Sequence, residues 1–243
     1  MTTTDTSDVG DAIGPRRFAR FATPPNQLGY CGPSAAGGLA PYLDEPVDRG
    51  MRELATQFEG AYPYLRLLAG AHGCDDPLDP DVVEAYWIGN HLLGDVTTFD
   101  FGNSIDDRFR RRAGAAWHHI DESIPAGVAH HSYHVLHVMP WAGLLQRGVV
   151  DEPLRIIDQC CVTWGRVVET GAVTLVSRRP LVWSGSALEL GPATIESVTS
   201  TVEVEVGDRV ALHWGVVCER LDPRQLAWLQ RTTLDQLHAF AAG

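Results

Sequence analysis

The sequence predicts an α+β protein: an N-terminal helical domain, a small β-barrel after it, and a C-terminal helix. Three observations carry this. Up to about residue 155 the apolar side chains recur at helical spacing. Beyond it the period drops to two, in short runs punctuated by turn residues. Residues 222–240 then return to helical spacing behind an Asp-Pro start. The domains are read as a disordered tail over 1–14, a helical domain over 15–155, and a barrel plus terminal helix over 156–243.

The opening MTTTDTSDVGDAIG is small, polar and acidic. It lacks the basic start and apolar centre of a secretory signal, so it reads as a tail. The stretch FATPPNQLGYCGPSAAGG carries too much proline and glycine for a regular element and reads as an ordered loop. Residues 47–58 and 61–71 read as helices broken at Gly60 and Pro63. Asp79 followed by Pro80 is a strong helix start, an N-cap acceptor and then a proline whose missing N–H costs nothing at the first helical position. That helix is expected to run through VVEAYWIGNHLL to Gly94. Further helices are expected over 104–120, which carries Arg108 and Arg110 to Arg112 on a solvated face, and over 128–139, closed by Pro140.

After residue 155 the runs CCVTWGRVVE, AVTLVSR, PLVW, ALEL, TIESVTSTVEVEV and DRVALHWGVVCERL read as strands. Thr170-Gly171, Ser184-Gly185 and Gly207-Asp208 separate them as turns. Short strands at this spacing suggest a closed or nearly closed small barrel. In the final helix Leu226, Leu229, Thr233, Leu237 and Phe240 share one face.

Composition narrows the function. A net charge of −12 excludes a nucleic-acid binder, which needs a basic surface. All 19 basic residues are arginine, which excludes Schiff-base chemistry on lysine. The apolar content is 44%, yet no run reaches the length of a membrane span, so a cytoplasmic protein is expected. Five cysteines without a CxxC pair point to reduced thiols rather than to a disulfide framework or a zinc knuckle.

The segment HHSYHVLHVMPW holds His130, His131, His134 and His137. On a helix, His130, His134 and His137 lie along one face at i, i+4 and i+7, where a pair chelates one metal ion. Glu84, His91, His118, His119 and Asp121 are candidates for a further ligand. A single histidine of the set suffices as an axial ligand to haem. The opposing reading has these histidines in polar helix contacts. Cys31, in its Gly/Pro-rich loop, either presents a thiol to a ligand or packs as a small hydrophobe. Glu84 reads as a solvated helix residue, and Tyr86 and Trp87 as core.

In the barrel region, Cys160-Cys161-Val162-Thr163-Trp164-Gly165-Arg166-Val167-Val168-Glu169 matches a leading strand of the form C-x-x-x-P-G-R-V-V-E. Val206-Gly207-Asp208-Arg209-Val210-Ala211-Leu212-His213-Trp214-Gly215-Val216-Val217-Cys218-Glu219-Arg220-Leu221-Asp222 matches V-G-D-x-V-L-V-H-x-G-F-A-I-x-x-L-D. With these motifs, residues 160–240 resemble the HypC/HupF family of hydrogenase-maturation chaperones. The resemblance implies an OB-like barrel. It also implies that Cys160 and His213 handle iron carrying cyanide and CO ligands, alongside a maturation scaffold protein and the hydrogenase large subunit. Two features depart from the family: Cys160 is internal rather than at the chain start, and Trp164 replaces the proline. Residues 1–155 resemble no characterised family.

The expected function is therefore an accessory role in [NiFe]-hydrogenase maturation, without turnover of a substrate. Two alternatives stand beside it. One is a metal- or haem-dependent enzyme centred on the histidine-rich domain, with the barrel as a docking module. The other is a metal-free interaction module.

Overall fold

A computed structural model gives the fold of residues 6–34 and 38–242. The chain runs through α1 (Thr6–Gln27), α2 (Arg49–Ala55), α3 (Tyr62–His72), α4 (Pro80–Trp87), α5 (Thr98–Ala113), α6 (Trp117–Ser123), a short α7 (His131–Tyr133), α8 (Pro140–Gln146) and α9 (Asp151–Cys160). Strands β1 (Thr163–Glu169), β2 (Thr174–Arg178), β3 (Leu181–Trp183), β4 (Leu188–Leu190), β5 (Thr194–Ser200), β6 (Arg209–His213) and β7 (Val216–Arg220) follow, and α10 (Pro223–Ala242) ends the chain. The mixed helical and barrel architecture is as the sequence predicts.

The helical part differs from expectation in several places. Residues 1–5 of the expected tail lie outside the described residues, but Thr6 onward is helical, and α1 continues through Pro15, Pro24 and Pro25 to Gln27. The first half of the supposed loop, from Phe21, is thus helix. Proline disfavours this, but Phe18, Ala19, Phe21 and Ala22 are completely buried along one face, which offsets the lost hydrogen bonds. Helix α4 has the expected Asp79 cap but stops at Trp87. There the Ile88 and Gly89 N–H groups both donate to the Glu84 carbonyl, and Gly89 turns left-handed at φ 98°. The predicted 104–120 helix is two, α5 and α6, separated at Gly114 (φ 54°).

The histidine segment holds a further difference. His130 is not helical but caps α7 in extended conformation, and residues His134–Val138 form a π turn. Pro140 opens α8 as its first residue. Helix α9 was not expected at all. It carries acids in its first turn and buries Pro153, Ile156, Ile157 and Cys160.

The strands close into a barrel of order β1-β2-β5-β7-β6, with β3 and β4 as a separate hairpin. All barrel pairings are antiparallel except β5 with β7. The long run DRVALHWGVVCERL is two strands, not one. They are joined by Trp214-Gly215, both at positive φ (52° and 70°), as a two-residue hairpin turn requires.

Strand alternation decides what faces the site. Val210 and Leu212 of β6 point into the barrel with Val167, Val176, Val198 and Val217. Ala211, between them, points outward and joins the core built by Phe18, Phe21, Val82 and Trp87 of the helices. His213, two residues on, shares that outward face, covered by α1 and α4 rather than lining the barrel. The helices and the barrel's outer wall therefore share one apolar core.

A buried charge cluster pins the same contact. Arg17 of α1 donates to Glu219 of β7 at 2.8 and 2.7 Å and to the Pro80 carbonyl at 2.8 Å. Glu84 of α4, expected at the surface, is only 3% exposed. Arg224 and Gln225 of α10 each hold it at 2.8 Å, and Arg17 lies 3.6 Å away. Burial alone would raise the Glu84 carboxyl, but Arg224, Gln225 and Arg17 together hold it below its usual value. Of the arginines expected on a solvated face, Arg110 and Arg112 make exposed ion pairs. Arg108 instead stacks over the Tyr64 ring at 4.0 Å. Among the described residues no helix is long and apolar enough to cross a membrane.

Removing one member of a buried charge group strands the others without partners. Arg17→Ala is expected to lower unfolding stability by about 3 kcal/mol or more in denaturant titrations. A change within error would show that the cluster does not hold the seam.

Candidate metal centre

Among the described residues, one group of three potential metal ligands stands together: His131, Cys160 and His213, each buried, their ligand atoms all within 4.8 Å of one another. Three separate stretches supply them. His131 opens α7, Cys160 is the last residue of α9 rather than the start of a strand, and His213 ends β6 at the hairpin turn. The resemblance pairs Cys160 with His213, and the fold brings that pair together. His131 is the residue that the helical spacing passed over.

The two imidazoles are held differently, His213 by one ring nitrogen and His131 by both. His213 Nδ1 lies 2.7 Å from the Phe21 carbonyl of α1, so its N–H donates there and Nε2 is left as a lone pair. Nε2 is buried and has no hydrogen-bond partner among the described residues. Burial pushes His213 down to about 4, against the pull of the Phe21 and Cys160 carbonyls.

His131 is more unusual. Its Nδ1 lies 3.0 Å from the Tyr86 hydroxyl, which itself donates to the Gly60 carbonyl at 2.8 Å. Its Nε2 lies 3.0 Å from the Cys160 carbonyl and 3.9 Å from the Cys160 sulfur. Gly60 O, Tyr86 Oη, the ring and Cys160 O thus make three contacts, but a neutral imidazole and one hydroxyl supply only two hydrogens. Full protonation is no remedy, because burial and the neighbouring His213 push His131 well below its usual value. A cation bound at Nε2 would have to displace the Cys160 carbonyl from that nitrogen, which would remove the third contact. Nδ1–H then donates to Tyr86 and Tyr86 to Gly60, the outer hydrogen bonding that orients a ligating histidine.

The Cys160 thiol is raised to about 12, first by burial and then by the nearby Cys31. It stays protonated until a cation displaces the proton. Trp87 covers the triad, its ring 4.5 Å from that of His131 and 5.5 Å from that of His213, and stacks on Phe21 behind it. A cavity of about 350 Å³ opens in front, with Cys31, Met139, Tyr86 and His134 on its walls. Three protein donors and an adjoining cavity leave room for a fourth ligand.

The profile of a family described as "Family of unknown function (DUF6390)" matches residues 10–242. The chain belongs to that family. No curated protein and no solved structure matches it. The DUF6390 match spans α1 to α10, so both the helices that carry His131 and Cys160 and the barrel that carries His213 fall within it.

The other predicted residues are dispersed. His130, His134 and His137 do not form one ligand face, because the cap at His130 and the π turn after Tyr133 break the i, i+4, i+7 register. The His130 ring turns back to accept the Ser132 N–H at 3.1 Å. His134 lines the cavity beside Tyr64, 3.3 Å from its hydroxyl, and His137 stacks on Tyr133. His118 and His119 are exposed on α6, His118 beside Glu122, and His91 and Asp121 are exposed as well. Glu84 is committed to the charge cluster. Cys161 and Cys218 are buried and outside the cavity lining, whereas Cys31 does face it. The residues that sequence reasoning read only as core, Tyr86 and Trp87, are core and also the ligands' immediate support.

Burial pushes His130 and His134 down to about 3 and His137 to about 4, from an ordinary value of 6.5. The unfolded chain therefore binds their protons first as pH falls. Their contribution is complete above about 6.5 and is lost progressively on descending towards about 3. The apo protein's unfolding midpoint should fall steeply across that window. A flat profile would contradict the burial of these rings in neutral form.

Proposed function

We propose that this protein is an accessory factor of [NiFe]-hydrogenase maturation that holds one iron ion, with its cyanide and CO ligands, between His131, Cys160 and His213. The observation that carries the reading is that the thiol and imidazole paired by the HypC/HupF resemblance lie together in one buried cluster, 53 positions apart in sequence. Thiolate is a soft, strongly donating ligand and imidazole suits the same metal, so the donor set fits iron. The chain adds two things to the family's pair: a third donor from the helical part, and a cavity large enough for the iron's small ligands. Exposed apolar side chains on and beside the barrel strands, Ile195 and Val206 among them, offer a face to the maturation scaffold or the large subunit.

Protein purified without oxygen from a hydrogenase-producing host is expected to contain iron and to show infrared bands in the CO and cyanide stretching region. Cys160→Ala should lose both. Wild-type protein without the bands, or bands surviving in Cys160→Ala, would overturn the assignment. The outer hydrogen bond has its own signature. Tyr86→Phe keeps the ring's packing but removes the oxygen that receives His131 Nδ1–H, and should weaken metal affinity by about 10- to 100-fold in chelator competition.

One observation favours a second reading, a metal-dependent enzyme: the cavity of about 350 Å³ beside the triad accommodates more than diatomic ligands. In that reading a small substrate takes the remaining coordination position. It differs from the enzyme alternative expected from sequence in drawing on the barrel for a ligand.

A further inference from the structure

The metal reading leaves unexplained how an ion reaches three buried donors, and the cavity contains one more thiol. Cys31 and Cys160 both line it, and Cys31 is the more exposed residue of the two, although burial pushes its thiol up to about 12 as it does that of Cys160. A charge on Cys31 opposes ionisation of Cys160.

The segment carrying Cys31 is fixed in place. Asn26, at the end of α1 and 1% exposed, spends both amide hydrogens on it, donating to the Cys31 carbonyl at 2.8 Å and the Pro33 carbonyl at 2.7 Å. Gly29 and Gly32, at φ 76° and 77°, let the backbone turn on either side, a conformation costly to other residues. Tyr30, just before Cys31, stacks at 4.3 Å on Trp214, just after His213. The thiol is thus tied to the turn that positions one residue of the triad, and His213, whose buried Nε2 has no hydrogen-bond partner among the described residues, lines the cavity that both share.

We infer that Cys31 is a relay ligand: an incoming divalent ion is captured by its sulfur and passed by ligand exchange to Cys160, His131 and His213. The exchange involves no electron transfer. As the ion leaves its donor, a bond forms to Cys31 Sγ and the Cys31 proton passes to the released donor ligand or to water. Bonds to Cys160 Sγ and the two Nε2 atoms then form, the Cys160 proton leaves, the bond to Cys31 breaks, and Cys31 regains a proton. The net result is one proton released per ion bound. The inference rests on the metal centre proposed above, and deepens it by separating the ligand that receives from the ligands that hold.

The test delivers Co(II) as its nitrilotriacetate chelate to the full-length protein in stopped flow, with thiolate-to-cobalt charge transfer as the signal. Equilibrium affinity is measured separately by competition. Cys31→Ser should slow loading by roughly tenfold or more, a barrier increase of that order, while leaving final affinity within a few fold. Cys160→Ser should abolish the charge-transfer band at equilibrium. Cys74→Ser, at a partly exposed thiol outside the cavity lining, should change neither. Cys31→Ser that loads at the wild-type rate overturns the relay, as does Cys31→Ser that loses affinity as completely as Cys160→Ser, which would make Cys31 a permanent ligand. Wild-type protein that binds no Co(II) overturns the metal centre and the relay with it. Far-UV circular dichroism and the unfolding midpoint establish that each variant is folded, and Cys31→Ala must reproduce the slow loading of Cys31→Ser.

Discussion

The seam between helix α1 and the outer wall of the barrel is the contact on which the rest of the molecule depends. Phe21 lies in it twice over, as a ring stacked against Trp87 and as the carbonyl that receives the His213 N–H. One turn earlier, Arg17 joins Glu219 of β7 to the Glu84 cluster of α4 and α10. Apolar burial supplies the driving force. The charges add geometry, because a buried guanidinium satisfies its partners only in one arrangement. His131, Cys160 and His213 come from three distant stretches, and nothing local holds them together. They meet because the seam is formed.

What the sequence discloses follows from how local each signal is. The Asp79-Pro80 cap, the alternating strands and the apolar face of α10 are written in adjacent residues and were legible. Helix α1 was not, because its prolines argue against helix locally, and only burial of Phe18 and Phe21 against distant elements outweighs them. The Trp214-Gly215 turn lacks the Asn-Gly or Asp-Gly signature, so one strand was read where there are two. Helix α9 had a readable signal in its acidic first turn and in Ile156, Ile157 and Cys160, yet the neighbouring strand pattern masked it.

The site divides in the same way. Cys160 and His213 were visible through the family resemblance, and Cys31 through its loop. His131 was hidden, because ideal helical spacing groups His130, His134 and His137 and passes over their neighbour. The cap at His130 and the π turn after Tyr133 reverse that choice, leaving His131 against Tyr86 and the end of α9 and His134 against Tyr64. Chemically the result is a centre whose imidazoles and thiol are all neutral without a cation. In the proposed reading, only an ion able to displace a thiol proton would occupy it.

X-ray absorption at the metal edge of protein loaded with one equivalent of Zn(II) tests the three-donor centre most directly. One sulfur at about 2.3 Å together with two imidazole nitrogens at about 2.0–2.1 Å is the expected first shell. A shell of oxygen and nitrogen alone, or one sulfur without the multiple scattering of two imidazole rings, would contradict it.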